Sequence, residues 1–196
     1  MRSRPCIRRA GAVFALLCAL FIRPPEAAAG TLLERTVAFV NKKPVLLSDV
    51  ELTRTLLGID GPEALEQTID EVLMFEEASR LLSEPASSET VEGAVLALRQ
   101  KAGPGFTDAA LRRKARVQLA IASYIEIRLR PLVRVDDADV RKVFNDRLAN
   151  AALPEAFSVI APEIREQLER RALDQRIEEW VTSLRRREEV RRPRPR

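Results

Sequence analysis

The chain contains no histidine, a single tryptophan and a single tyrosine, and only two cysteines, Cys6 and Cys18, both within the first 29 residues. Each scarcity removes a class of chemistry. Without imidazole there is no histidine general base, no Ser–His or Cys–His couple and no Cys/His zinc site. With cysteine confined to the leading segment, the rest of the chain carries neither a disulfide framework nor a thiol nucleophile. Aromatic residues make up 5% of the chain, while leucine, alanine and arginine are abundant, and no internal repeat or low-complexity block stands out beyond an arginine-rich end.

Residues 1–29 read as a cleavable export signal. Arg2, Arg4, Arg8 and Arg9 form a positive start, Gly11–Phe21 is an apolar core too short to span a bilayer, and Ala27-Ala28-Ala29 supplies a small-residue site ahead of Gly30. An uncleaved membrane anchor is the competing reading. Cleavage would remove five arginines and one glutamate, so 33 basic and 29 acidic residues become 28 and 28. The mature chain is then close to neutral, which takes away the net-charge argument for a nucleic-acid partner. A periplasmic address is expected. The remaining 167 of 196 residues suffice for one domain with a real core, set at 30–192 with a loose tail over 193–196.

What is present is mostly helical periodicity behind a short β element. Val37–Val40 and Val45–Leu47 are apolar runs flanking Asn41-Lys42-Lys43-Pro44, the pattern of a small hairpin. Ser48 with Glu51 three residues on predicts a capping box opening a helix over 49–57, ended by Gly58. Helices follow over about 62–83, with Leu65, Ile69, Val72 and Leu73 inward, and from Ser87 or Ser88 to about Ala102 on a Val91, Val95, Leu98 stripe. The longest pattern starts at Thr107 and runs to Arg130, with Leu111, Ala115, Leu119, Ala122, Ile125 and Leu129 as its stripe, widened by Val117, Ile121 and Tyr124, and Pro131 ending it. Asp136 or Asp137 caps a fifth helix with Val140, Val143, Phe144 and Leu148 inward, Ala149–Ala161 is expected to be a linker, and a last helix covers 162–187 on an Ile177, Trp180, Val181, Leu184 seam. The expected fold is mainly α, about six helices with a small sheet of Thr36–Val40, Val45–Leu47 and Glu189–Arg191, and the last helix packed back on the N-terminal part.

At Val45-Leu46-Leu47-Ser48-Asp49-Val50, following the strand Val37–Asn41, the chain resembles the N-terminal chaperone module of the periplasmic SurA family. Ile69–Ala78, Asp136–Phe144 and Ile164–Val190 with Trp180 are similar to later segments of that module and to its C-terminal helix and strand. The resemblance implies a holdase chaperone acting on unfolded polypeptides such as outer-membrane protein clients. Longer members of the family carry parvulin-type prolyl isomerase domains before the last helix. Here about a dozen residues separate Asn150 from Pro162, and the histidines of that active site are absent, so isomerase activity does not carry over.

No enzyme activity, cofactor or metal is expected. A holdase needs exposed apolar surface framed by charge and, where available, a β-edge for extended segments. Phe39, Leu46, Leu52, Leu56, Phe75 and Tyr124 are the candidate peptide-binding side chains, with core packing as the alternative for each. Glu76-Glu77, Asp136-Asp137 and Glu178-Glu179 point about 100° apart on a helix and read as solvated faces rather than catalytic pairs. Arg185–Arg187 with Arg191, Arg192, Arg194 and Arg196 reads as a solvated tail or as a weak contact for anionic surfaces. The rival to a general holdase is an accessory protein with one dedicated partner, such as a separate parvulin-type chain.

Overall fold

The computed structural model describes residues 34–81, 86–147 and 154–193. The export-signal segment, the expected helix end at Ser83 with Pro85, Leu148 and the last three residues lie outside them. Strands β1 (Thr36–Val40) and β2 (Lys43–Leu46) form the hairpin, with Asn41 in the left-handed region at φ 55°. Asparagine tolerates this conformation better than any other residue save glycine. Phe39 stands opposite Pro44 and Ala38 opposite Val45, and on the other side of β1 the last strand, β3 (Val190–Arg191), places Arg191 opposite Phe39 and Val190 opposite Val40. The sheet order is β2-β1-β3, all antiparallel, so the two ends of the described chain meet in one sheet.

Strand β2 runs straight into α1 (Leu47–Leu57). The expected capping box does not form. Leu46 occupies the cap position, while Ser48, already in the first turn, donates to the Glu34 carboxylate at 2.5 Å and Glu51 pairs with Arg54 at 2.7 Å. Gly58 closes the helix with φ 67°, its N–H bonded to the Arg54 carbonyl at 2.9 Å. Asp60 then caps α2 (Gly61–Leu81) by accepting from the Glu63 N–H at 2.8 Å. Ser87, one of the two expected alternatives, caps α3 (Ser88–Ala102), and Thr107, the expected start of the long helix, caps α4 (Asp108–Tyr124), each through its hydroxyl.

The α-helical ladder of α4 stops at Tyr124 rather than Arg130. Over Ile125–Leu129 it widens into a π turn in which the Arg130 N–H bonds the Ile125 carbonyl, then tightens into a 3₁₀ turn at Arg130–Leu132. Pro131 cannot donate to the ladder and its ring crowds the carbonyl four residues back, and the regular spacing ends just ahead of it. The extra residue per turn lets Leu129 stay buried, whereas Ala122, expected on the stripe, is exposed.

Helix α5 (Asp137–Arg147) is followed by α6 (Pro154–Arg187), 34 residues and therefore about 50 Å long. The expected linker is thus largely helix. Pro154 takes the first position and Pro162 lies inside. Pro162 faces solvent while Phe157, Ile160 and Ala161 pack with Val140, Phe144 and Ile164 on the inner side, so burial outweighs the lost ladder bond.

The core has three parts. One lies between the sheet, α2, the end of α4 and the second half of α6, centred on Val40, Leu73, Tyr124, Trp180 and Leu184. A second joins α1, α3 and α4 through Leu52, Val95, Leu98, Leu111 and Ala115. A third is the α5–α6 hairpin alone, where Phe144 and Phe157 meet edge-to-face at 5.1 Å. Helix α4 serves the first two, and α6 serves the first and third.

Asn41 sits where the ends meet. Its Nδ2 donates to Glu76 Oε2 and to Glu188 Oε2, each at 2.8 Å, its Oδ1 accepts from the Glu189 N–H at 3.1 Å, and its own N–H reaches the Glu189 carbonyl at 2.7 Å. Replacing Asn41 with Asp would set a third carboxylate between Glu76 and Glu188. Asn41→Asp and Asn41→Ala should each lower the urea midpoint at pH 7 by an amount worth about 1–3 kcal/mol. Asn41→Gly, which keeps the left-handed turn, should cost less than Asn41→Ala, and equal losses would show that the backbone conformation contributes nothing. Deleting residues 177–196 removes β3 and the buried Trp180 and Leu184 and should yield insoluble protein, whereas a soluble, cooperatively unfolding truncation would show that the N-terminal part closes without them.

Candidate functional site

The six candidate peptide-binding residues do not share one surface. Leu52 is fully buried in the α1–α3–α4 core, and Leu56 packs against the same cluster. Tyr124 is buried and stacked on Trp180, ring centroids 4.4 Å apart and 12° from parallel. Burial also pushes the Tyr124 hydroxyl pKa upward. These placements correct the expectation that Leu52 and Tyr124 line an open groove: both are core. Phe75 is half-buried beneath the Lys43 ammonium, 5.5 Å from its ring centre, and Leu46 is half-buried at the strand–helix junction. Only Phe39, 38% exposed on the sheet face it shares with Pro44 and Arg191, offers an open apolar side chain. Period-2 and period-3.6 patterns find apolar faces, but they cannot separate a face covered by another element from one left bare.

The paired acids point apart as expected, but Glu76 and Glu77 do not form a solvated face, their side chains being only 11% and 16% exposed. Glu76 turns to Asn41 and Lys43, while Glu77 turns to Arg80 at 3.3 Å and Arg187 at 3.9 Å. Asp137 is taken by Arg165, which holds its carboxyl below the usual range, while Asp136 contributes its carbonyl to the Val140 N–H. Glu179 accepts from Gln175 and Arg176. Among the described residues no group of three or more His, Cys, Asp or Glu is placed to hold a metal ion.

The arginine run is largely spoken for. Arg185 bonds Asp70 Oδ1 at 2.5 Å and Glu66 Oε2 at 3.2 Å, Arg192 also takes Glu66, Arg187 faces Glu77, and Arg191 pairs with Glu189 at 3.1 Å. Arg185, Arg187 and Arg192 thus lie against acidic residues of α2 while their side chains stay about half exposed, Arg191 pairs within the tail, and Arg194 and Arg196 lie outside the described residues.

A polar seam separates the first two cores. Lys114 on α4, only 6% exposed, donates to Thr53 Oγ1 on α1 at 2.7 Å and pairs with Glu71 on α2. Thr53 donates to the Asp49 carbonyl at 3.0 Å, and Thr68 donates to the Ala64 carbonyl at 2.7 Å with its hydroxyl 3.1 Å from that of Thr53. Burial raises the Glu71 pKa, opposed by Lys114 and reinforced by Asp49 and Asp70. The signal available in sequence was a lysine on the inward stripe of α4, one position before Ala115.

An open groove of about 210 Å³ lies where the 3₁₀ turn passes α6, between Leu132–Arg134 and the face of α6 from Ala172 to Glu179. Leu132 is 59% exposed there, and Ile127 in the preceding π turn is exposed as well. The Arg130–Glu126 pair, with bonds of 2.5 and 2.7 Å, braces the turn. None of the six sequence candidates lines this groove. Among the described residues no helix is long and apolar enough to cross a membrane. Compared with known proteins, the chain matches no family model, no curated protein and no solved structure.

The seam makes a signed prediction. Because the Glu71 pKa is raised in the folded state, the native protein holds that proton more tightly than the unfolded chain. The stability this group contributes is fully present below its unfolded value and is lost as pH rises through the raised native value. Glu71→Gln should flatten that part of the stability–pH curve and be nearly neutral in mild acid. Lys114→Met strands a buried carboxylate and should cost about 3–5 kcal/mol at pH 7, with much of the loss recovered on acidification or in the Glu71→Gln/Lys114→Met double variant. Chemical denaturation of the four proteins from pH 4 to 8 checks both signs.

Proposed function

We propose that this chain is a periplasmic holdase of SurA type, a chaperone module that binds unfolded polypeptides, outer-membrane proteins among them, without a catalytic step. The observation that carries the reading is the closure of the module on itself. The hairpin at one end and β3 with α6 at the other form one sheet and one core, and only residues 148–153 stand between α5 and α6, where longer relatives of such a module hold an isomerase domain. Open apolar side chains framed by charge supply the means of binding: Phe39 beside Lys42, Lys43 and Arg191, and Ile127 with Leu132 beside Arg128 and Arg134.

A second reading, an accessory protein with one dedicated partner, draws on the α5–α6 hairpin. It keeps its own apolar cluster apart from the main core and presents Val159 at 77% exposure. The protein lacking residues 1–29, mixed at equimolar ratio with an unfolded outer-membrane protein, should delay its aggregation, and it should leave proline-limited refolding of a test substrate at the uncatalysed rate. Failure to delay aggregation, together with co-purification of one stable partner, would replace the holdase with the accessory protein.

A further inference from the structure

We propose that the groove between the 3₁₀ turn and α6 captures the free C-terminal carboxylate of a polypeptide, with Arg134 and Arg176 as the carboxylate donors. The choice of a polypeptide as ligand rests on the chaperone reading; the carboxylate preference rests on the groove alone.

The groove mixes two chemistries in one small volume. Leu132, Val133 and Ala172 border it, but most of its exposed lining is polar. Two guanidinium groups line the same space. Arg134 makes no ion pair with any described residue, and Arg176 is held to Glu179 only at 3.4 Å, a separation at the outer limit of a hydrogen bond. Gln175 donates to the other oxygen of Glu179 at 2.9 Å, so that carboxylate is occupied from within its own helix. Two cations and one anion leave the groove with a net positive charge, and guanidinium groups bind carboxylates in a planar, two-pronged geometry that an ammonium cannot match.

The groove is open and of about 210 Å³, room for a small charged group such as a chain-end carboxylate. One wall is the 3₁₀ turn, closed by the Val133 N–H to Arg130 carbonyl bond of 3.1 Å, and the opposite wall is α6, anchored by buried Leu173 and Trp180. A chain end has a carboxylate that internal segments lack, so such a groove would let a binder of extended apolar segments hold a client by its terminus while the apolar surface outside, Leu132 and Ile127, meets the residues before it.

The test uses the protein lacking residues 1–29 and two fluorescein-labelled octapeptides of identical apolar sequence, one ending in a free carboxylate and one in an amide, read by fluorescence anisotropy. The free acid should bind about tenfold more tightly. Arg134→Ala and Arg176→Ala should each remove most of that preference, and Arg134→Lys should restore it only in part. Arg186→Ala, an exposed arginine of the same helix outside the groove, should leave it intact. Equal binding of the two peptides by the unaltered protein, no binding of either, or the same loss in Arg186→Ala would overturn the proposal. Aggregation suppression measured in parallel separates the two readings. A protein that suppresses aggregation without selecting the free acid retains the holdase and loses the groove. One that selects the free acid without suppressing aggregation retains the groove and loses the holdase.

Discussion

The rest of the structure depends on the return of α6 to the hairpin, which joins residues nearly 150 positions apart at Asn41. Closing a loop of that length costs about 4 kcal/mol of chain entropy. The side-chain bonds of Asn41 to Glu76, Glu188 and Glu189 return less than that, about 1–3 kcal/mol in all. Burial decides the matter. Leu173, Trp180 and Leu184 all leave water on this one helix, and each contributes roughly 1.5–3 kcal/mol. The apolar seam therefore supplies the energy and Asn41 supplies the register. A helix sliding by one turn would keep an apolar stripe against α2 but would pull Glu188 and Glu189 away from the turn.

Register is also what the buried Lys114 contributes. A continuous apolar contact among α1, α2 and α4 would be at least as stable, since a buried ion pair loses in desolvation most of what it gains in attraction. It would also tolerate rotation of α4, because that helix has apolar residues on two sides: Leu111 and Ala115 toward α3, Ile121 and Tyr124 toward α6. Lys114 has its two partners, Thr53 and Glu71, at one rotation only. The seam sorts the two apolar faces of α4 to their proper neighbours.

Much of this fold was legible in the residues, and the misses share a cause. The hairpin, the caps at Ser87 and Thr107 and the stop at Gly58 follow from local chemistry acting within three or four positions, and the structure keeps them. The misses are places where a distant element overrules local preference. Ser48 forgoes its cap because β2 feeds helix α1 without a turn and Glu34 is within reach of its hydroxyl. Pro162 fails to end a helix because α5 lies against the opposite face. The regular stripe of α4 drifts where the ladder widens into a π turn ahead of Pro131. The candidate contacts fared worst of all: Leu52 and Tyr124 are as apolar in sequence as Leu132, and only the position of α3 and α6 decides which are covered.

Charge shows the same dependence on distant partners. The terminal arginines look in sequence like a free cationic run, yet the acidic residues that meet them, Glu66, Asp70 and Glu77, lie more than a hundred positions earlier on α2. An external anion must compete with α2 for Arg185, Arg187 and Arg192. Arg134 is different, because the turn that carries it passes α6 at Arg176 and Gln175, and the one acid within the groove, Glu179, is already engaged by its own helix. Availability, rather than the local density of arginine in the sequence, determines where this protein can receive a negative charge.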